Sequence, residues 1–118
     1  MKQTQLLKGV LEGCVLAIIN QKPVYGYELV QILRQSGFEN MVGGTVYPLL
    51  QKLEKKGIII GETKPSPDGP DRKYYTLSSL GLTALNEFNE EWQSLTKNVH
   101  QILKQTGADT IDCSRKIN

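Results

Sequence analysis

The residues of this chain that could do chemistry are hydroxyl, ammonium and guanidinium donors, gathered in three short stretches. Thr45, Tyr47 and Lys52 fall in a run bounded by glycines, Gly43-Gly44 at its start and Gly57 at its end. Lys64, Arg72 and Lys73 flank a proline-rich turn, and Tyr25 stands just ahead of a helical pattern. Donors of these kinds bond phosphate oxygens and the edges of bases, and helix-start N–H groups add to anion affinity. Plainer roles stay open for the same residues. Thr45 can be a helix cap, Tyr47 a partly buried aromatic beside Leu50, Tyr25 a packing residue against the first helix, and the cations solvated. Tyr74 and Tyr75 suit a structural role, one of them pinning its strand to the core.

Catalytic chemistry has no comparable set. There is no carboxylate pair, nucleophile triad or cluster with metal-ligand spacing. Gly43-Gly44 lacks the strand, spacing and lysine of a nucleotide cradle, and the single histidine, His100, lies off the apolar line of its helix. No enzyme activity, cofactor or metal is expected. Cys14 falls in an apolar helical pattern and Cys113 in a polar tail, which suits reduced thiols better than a disulfide.

Helical and strand patterns position the donors. Residues 4–20 carry Leu6, Leu7, Val10, Leu11, Cys14, Val15, Ile18 and Ile19 at offsets of three and four, a buried helix ended by Asn20-Gln21-Lys22-Pro23. A second helix starts around Tyr25-Gly26-Tyr27-Glu28, faces Leu29, Ile32 and Leu33 inward, and stops at Ser36-Gly37. The third fills Gly43–Gly57, with Leu49, Leu50 and Leu53 inward, Thr45 as its cap and Pro48 in its first turn. Gly26, Gly44 and Gly57 are expected to serve backbone geometry.

After Gly57 the period changes. Ile58–Lys64 and Arg72–Leu77 predict two strands around Pro65–Asp71, a tip too long for a two-residue hairpin, whose prolines bar it from the sheet. Ser78 or Ser79 then caps a long helix to about Gln105, roughly 40 Å by helical rise. In it Leu85, Phe88, Trp92, Leu95, Val99 and Ile102 follow alternating steps of three and four, a heptad seam. A core of this size cannot cover such a rod, so the seam predicts a homodimer interface; packing on its own body is the alternative. Paired Trp92 side chains, with Phe88, Leu6 and Val10 as walls, would make a flat apolar slot for an aromatic small molecule. A plain interface anchor is the simpler role for Trp92.

The boundaries expected are a head over 1–77, a dimerisation helix over 78–105, and a disordered tail over 106–118 beginning near Gly107. The fold class is mainly α (α+β), a winged helix-turn-helix with a two-stranded wing and a long C-terminal helix. At 118 residues, 39% hydrophobic and 22% charged, the chain fits one small core. It has no apolar run of membrane-spanning length and no signal-peptide core, so a cytoplasmic location is expected. Net charge is +2, with a mild basic excess before residue 74, too little to decide a partner.

Tyr25-Gly26-Tyr27-Glu28, Gly44-Thr45-Val46-Tyr47-Pro48-Leu49-Leu50, Leu53-Glu54-Lys55-Lys56-Gly57 and Arg72-Lys73-Tyr74-Tyr75-Thr76-Leu77, with Gly81 following, occur in this order. In that order and spacing the sequence resembles the PadR family of bacterial transcriptional regulators, over about residues 5–105, and its short subfamily in particular. The resemblance implies a homodimeric winged-helix repressor that binds double-stranded DNA at an inverted repeat. It implies control of a neighbouring transporter or detoxification gene, relieved in some relatives by an aromatic small molecule. Asp71 departs from the basic or neutral residue frequent at that wing position. A winged-helix module for protein interaction, without DNA binding, is the rival reading. An enzyme's dimerisation domain is a third.

Overall fold

A computed structural model describes residues 5–105. The elements run α1 (Gln5–Gln21), β1 (Val24–Tyr25), α2 (Gly26–Gln35), α3 (Gly43–Lys55), β2 (Ile59–Ser66), β3 (Gly69–Leu77) and α4 (Ser79–Gln105). This is the expected winged helix-turn-helix with a long final helix. The described chain divides into two compact units, the first ending at Asn86 and the second beginning at Glu87. The expected helix stop at Gly107, the tail and Cys113 lie outside the described residues.

The head's core follows from spacing. Leu11, Val15, Leu16 and Ile19 of α1 meet Leu29, Val30 and Leu33 of α2 and Val46, Leu50 and Leu53 of α3. Val24, Ile59 and Tyr75 close it from the sheet, and Met41 from the loop before α3. Fully burying side chains of this size contributes about 1.5–3 kcal/mol each, so these residues carry the fold. The inward faces of α1 and α3 differ in detail from those expected: Leu6 is 74% exposed, and Leu49 only half-buried.

Two glycines stop helices by the same device. Gly37 (φ 117°) follows α2 and Gly57 (φ 76°) follows α3, both in the left-handed region open to glycine. Beyond them the Phe38 N–H donates to the Leu33 carbonyl (3.0 Å) and the Ile58 N–H to the Leu53 carbonyl (3.0 Å), the six-to-one bond of a Schellman end. The Arg34 Nε, donating to the Met41 carbonyl at 2.7 Å, ties down the loop between.

The sheet corrects two expectations. It has three strands in the order β1-β3-β2, because Val24 pairs with Tyr75 and Tyr25 with Tyr74. The tip is also tighter than Pro65–Asp71: Ser66 faces Gly69, leaving Pro67-Asp68 as the turn, with an irregularity between Lys64 and Ser66. Pro65 and Pro70 thus lie within strands. They are tolerated because β2 is an edge and β1 reaches only Tyr74 and Tyr75, so near the tip neither proline has to donate to a further strand.

Ser78 joins wing to α4. Its hydroxyl donates to the Gly57 carbonyl (2.6 Å), accepts from the Gly81 N–H (3.1 Å) and lies 3.0 Å from the Ile58 carbonyl. It is the expected cap of α4. Gly81 is buried against the Ile58 carbonyl so closely that a Cβ there would collide with backbone. Ala84 and Leu85 pack on the head's core, so Leu85 is committed to its own head rather than to an exposed seam.

Gly81→Ala should therefore lower stability by about 1–3 kcal/mol. Gly44→Ala, whose methyl would meet nothing within 4 Å, should leave stability unchanged or raise it by up to about 1 kcal/mol. Urea unfolding followed by circular dichroism measures both.

Candidate nucleic-acid interface

α3 begins earlier than its threonine suggested. Val42 is its N-cap, extended (φ −133°, ψ 159°) and with no side-chain cap bond. Thr45 is the third helical residue, and its own N–H donates to the Val42 carbonyl at 3.1 Å. The expected Thr45 cap is thus corrected, and so is the place of Pro48, which lies inside the helix beyond its first turn. The Tyr47 ring lies against this helix start. A Cβ on Gly43 would come within 2.6 Å of it, and one on Gly26 within 2.9 Å. These two glycines make room for an aromatic ring, a role distinct from turn geometry, whereas Gly57 does supply a turn.

Gly26 is the first residue of α2, whose N-cap, Tyr25, is extended (φ −102°, ψ 166°) and also lacks a side-chain cap bond. Two helix starts without side-chain caps therefore flank one ring, itself 43% exposed. First-turn N–H groups have no partner inside their helix, and at such an end they offer an anion several donors and the positive pole of the dipole.

Tyr25 carries this surface onto the wing. Its ring meets that of Tyr74 edge-on at 5.4 Å, and the Arg72 guanidinium lies 4.5 Å over it. Lys64 sits 5.5 Å over the Tyr74 ring. The register explains the grouping, since Lys64 pairs with Arg72 and Tyr25 with Tyr74, placing all four on one face of the sheet. A hydrogen bond to Tyr74, more than any nearby charge, raises the Arg72 pKa further.

Other expected donors lie elsewhere. Lys73 projects from the opposite face of β3, and its Nζ donates to Glu54 Oε1 at 2.9 Å, an ion pair laid across Gly61. That bond raises the Lys73 pKa. Tyr75, next along, is the tyrosine that enters the core, where burial raises its phenol pKa. On α3, Thr45 and Lys52 share one flank as expected, but Tyr47 is two positions from Thr45, about 200° around the helix. Thr45 and Lys52 instead line an open groove of about 390 Å³ with Lys8, Leu11, Glu12 and Leu49, and Lys52 lies 3.9 Å from Glu12. The structure thus joins Tyr25, Tyr47, Lys64 and Arg72, and separates Thr45, Lys52 and Lys73 from them.

Four further residues of α3 are exposed beside the expected donors. Gly44, Pro48, Gln51 and Lys55 are exposed along the outward line of α3. Their spacing of four, three and four was the available signal. Tyr74, expected to be structural, also contacts two of the three wing cations, Lys64 and Arg72.

In the second unit, Phe88 and Trp92 stack on each other (6.3 Å, 12°), one turn apart on α4. Trp92, Leu95, Val99 and Ile102 are exposed, the last at 59%. Val10 is half-buried on α1 in the head. Burial raises the Cys14 thiol pKa, the opposite of what a reactive thiolate needs. Among the described residues no group of three metal-ligating side chains occurs, and no helix is long and apolar enough to cross a membrane.

Comparison with known proteins matches residues 15–87 to the transcriptional regulator PadR-like family. The chain belongs to this family. A PadR-like regulator from Bacillus cereus has a similar structure, with 46% identity over 85% of this chain and 97% of that one and a TM-score of 0.78. A Streptococcus transcriptional regulator is 58% identical over 85% of this chain and 98% of its own, with a TM-score of 0.79. A Mycobacterium tuberculosis transcriptional regulator is 33% identical over 76 residues, 64% of this chain and 69% of the relative. The PadR-like chain is therefore a transcriptional regulator with a winged-helix DNA-binding fold, from a family of regulators rather than enzymes.

Removing the Tyr74 ring should release Arg72. Tyr74→Leu should cost about 1 kcal/mol, as expected for one aromatic pair with cation contacts. It should also lower the heteronuclear NOE of the Arg72 Nε–H toward that of a freely moving side chain.

Proposed function

We propose that the protein is a homodimeric, sequence-specific repressor that binds an inverted-repeat operator in double-stranded DNA. The observation that carries this reading is the continuous surface from Tyr47, between the starts of α2 and α3, through Tyr25 to Arg72 and Lys64. Helix-start N–H groups and the Tyr25 and Tyr47 hydroxyls suit phosphate oxygens, and α3 suits a major groove. Arg72 and Lys64 on the wing suit the adjoining backbone. Thr45 and Lys52 lie on the far flank of α3, at the margin of this surface. Lys73 is withdrawn from it by Glu54.

The dimer reading rests on α4. Trp92, Leu95, Val99 and Ile102 leave an apolar line exposed along a helix otherwise rich in polar residues, and a second copy of the same helix would cover it. Two heads related by a two-fold axis require half-sites about one duplex turn, roughly 34 Å, apart. The flat Phe88–Trp92 stack supports an aromatic effector taken between the protomers. Such a ligand would relieve repression by favouring a head spacing that no longer fits the operator. The regulated gene would be a neighbouring one, for a transporter or a detoxifying enzyme, and the protein would act in the cytoplasm.

Fluorescence anisotropy with the duplex upstream of the protein's own gene, over a series of salt concentrations, tests the DNA reading. Arg72→Ala and Lys64→Ala should each lower the salt slope by about 1, and Lys73→Ala should leave it nearly unchanged. Binding that is absent or insensitive to salt would sink the proposal. Sedimentation equilibrium tests the seam: Val99→Glu should shift the mass from dimer to monomer and reduce operator affinity at least tenfold. A dimer unaffected by Val99→Glu would remove α4 as its interface.

A further inference from the structure

The outward line of α3 contains one amide side chain fit to identify a base. Gly44, Pro48, Gln51 and Lys55 follow one another along it, all exposed. Gly44 and Pro48 bring no side-chain donor, and Lys55 brings a point charge near the helix end, where it meets the dipole. Gln51 alone offers a planar amide with donor and acceptor side by side. In the major groove, adenine displays an N6 donor next to an N7 acceptor, the pattern complementary to that amide.

Two features of α3 leave this amide for a partner outside the protein. First, the Gln51 side chain makes no hydrogen bond or ion pair within the described residues. It is one turn from both Tyr47, committed to Gly26 and Gly43, and Glu54, committed to Lys73, yet joins neither interaction. Second, the fold has no use for the glycine at position 44. Its φ is not positive, its missing Cβ would meet nothing within 4 Å, and glycine in a helix costs up to about 1 kcal/mol against alanine. The residue beside it, Gly43, is explained by the Tyr47 ring; Gly44 is explained by nothing among the described residues. A missing side chain on the outward line lets the start of α3 approach a surface more closely. Gln51 lies seven residues on, about two turns along the same line.

We propose that Gln51 is the specificity-determining residue of α3, reading an adenine in each half-site, and that Gly44 is the spacer that lets the helix lie deep enough for it to do so. The inference rests on the DNA-binding reading above and goes beyond it, because that surface fixes position on the backbone whereas Gln51 selects sequence. Thr45 and Lys52, on the flank beside Glu12, are left to the margin of the contact.

Selection from a randomised duplex library with the full chain tests it. The wild type should enrich a symmetric motif with one A·T pair in each half-site that depends on Gln51. Gln51→Ala should make that pair alone degenerate, with discrimination there falling about tenfold or more. Gln51→Arg should shift the same pair toward G·C, since arginine matches the guanine O6 and N7 acceptors. Gly44→Ala, which the fold accommodates, should weaken binding to all sequences alike. An unchanged motif with Gln51→Ala overturns the role of Gln51 while leaving the DNA reading intact. A wild type that enriches no motif overturns both. Because Gln51 is exposed and alanine is the better helix former, folding is not at stake in the first variant.

Discussion

The Tyr47 ring lies against the bare backbones of Gly26 and Gly43, and the proposed DNA face depends on that fit. A side chain at either glycine would have to displace the ring. With both absent, the starts of α2 and α3 sit on either side of one aromatic, and neither start has a side-chain cap. The start of α2 is also held by the sheet, because Tyr25 is at once the N-cap of α2 and the strand partner of Tyr74. One short segment therefore ties helix starts to wing.

The alternation of β3 then sorts the wing's cations. Arg72 and Lys73 are neighbours in sequence and point to opposite faces. Arg72 joins Tyr25 and Tyr74 on the outer face, while Lys73 bonds Glu54 across Gly61 on the face toward α3. A slip of one residue in this register would exchange the two and carry Tyr75 out of the core. Burial of Tyr75, the pair with Val24 and the Lys73–Glu54 bond all favour the register observed. Arg72 is thus oriented by contacts the head needs for its own stability.

The elements most legible from sequence were those whose signals are local. Gly37 and Gly57 stop their helices through bonds made within six residues, and Ser78 caps α4 three residues ahead. β1 was invisible because two residues have no period of their own; only pairing with Tyr74 and Tyr75 makes Val24-Tyr25 a strand. The prolines of the wing misled because their effect depends on which edges are unpaired, and Leu85 because the heptad pattern does not reveal that its first step packs on the head. The candidate site divides in the same way. Residue types for phosphate contact could be read directly, but Tyr47 and Thr45 were grouped although helical geometry sets them on opposite flanks. The engagement of Lys73 by Glu54, nineteen residues away, has no sequence signature.

In this PadR-like regulator the proposed contact surface therefore passes from the starts of α2 and α3 to Arg72, away from the groove between α1 and α3. A titration of labelled protein with its operator duplex, followed by amide and arginine side-chain NMR shifts, tests that claim most directly. The account predicts that the largest changes fall together on Tyr25, Gly26, Tyr27, Gly43, Gly44, Gln51 and the Arg72 side chain. Changes confined to Lys8, Glu12, Thr45 and Lys52, with the two helix starts unmoved, would contradict it.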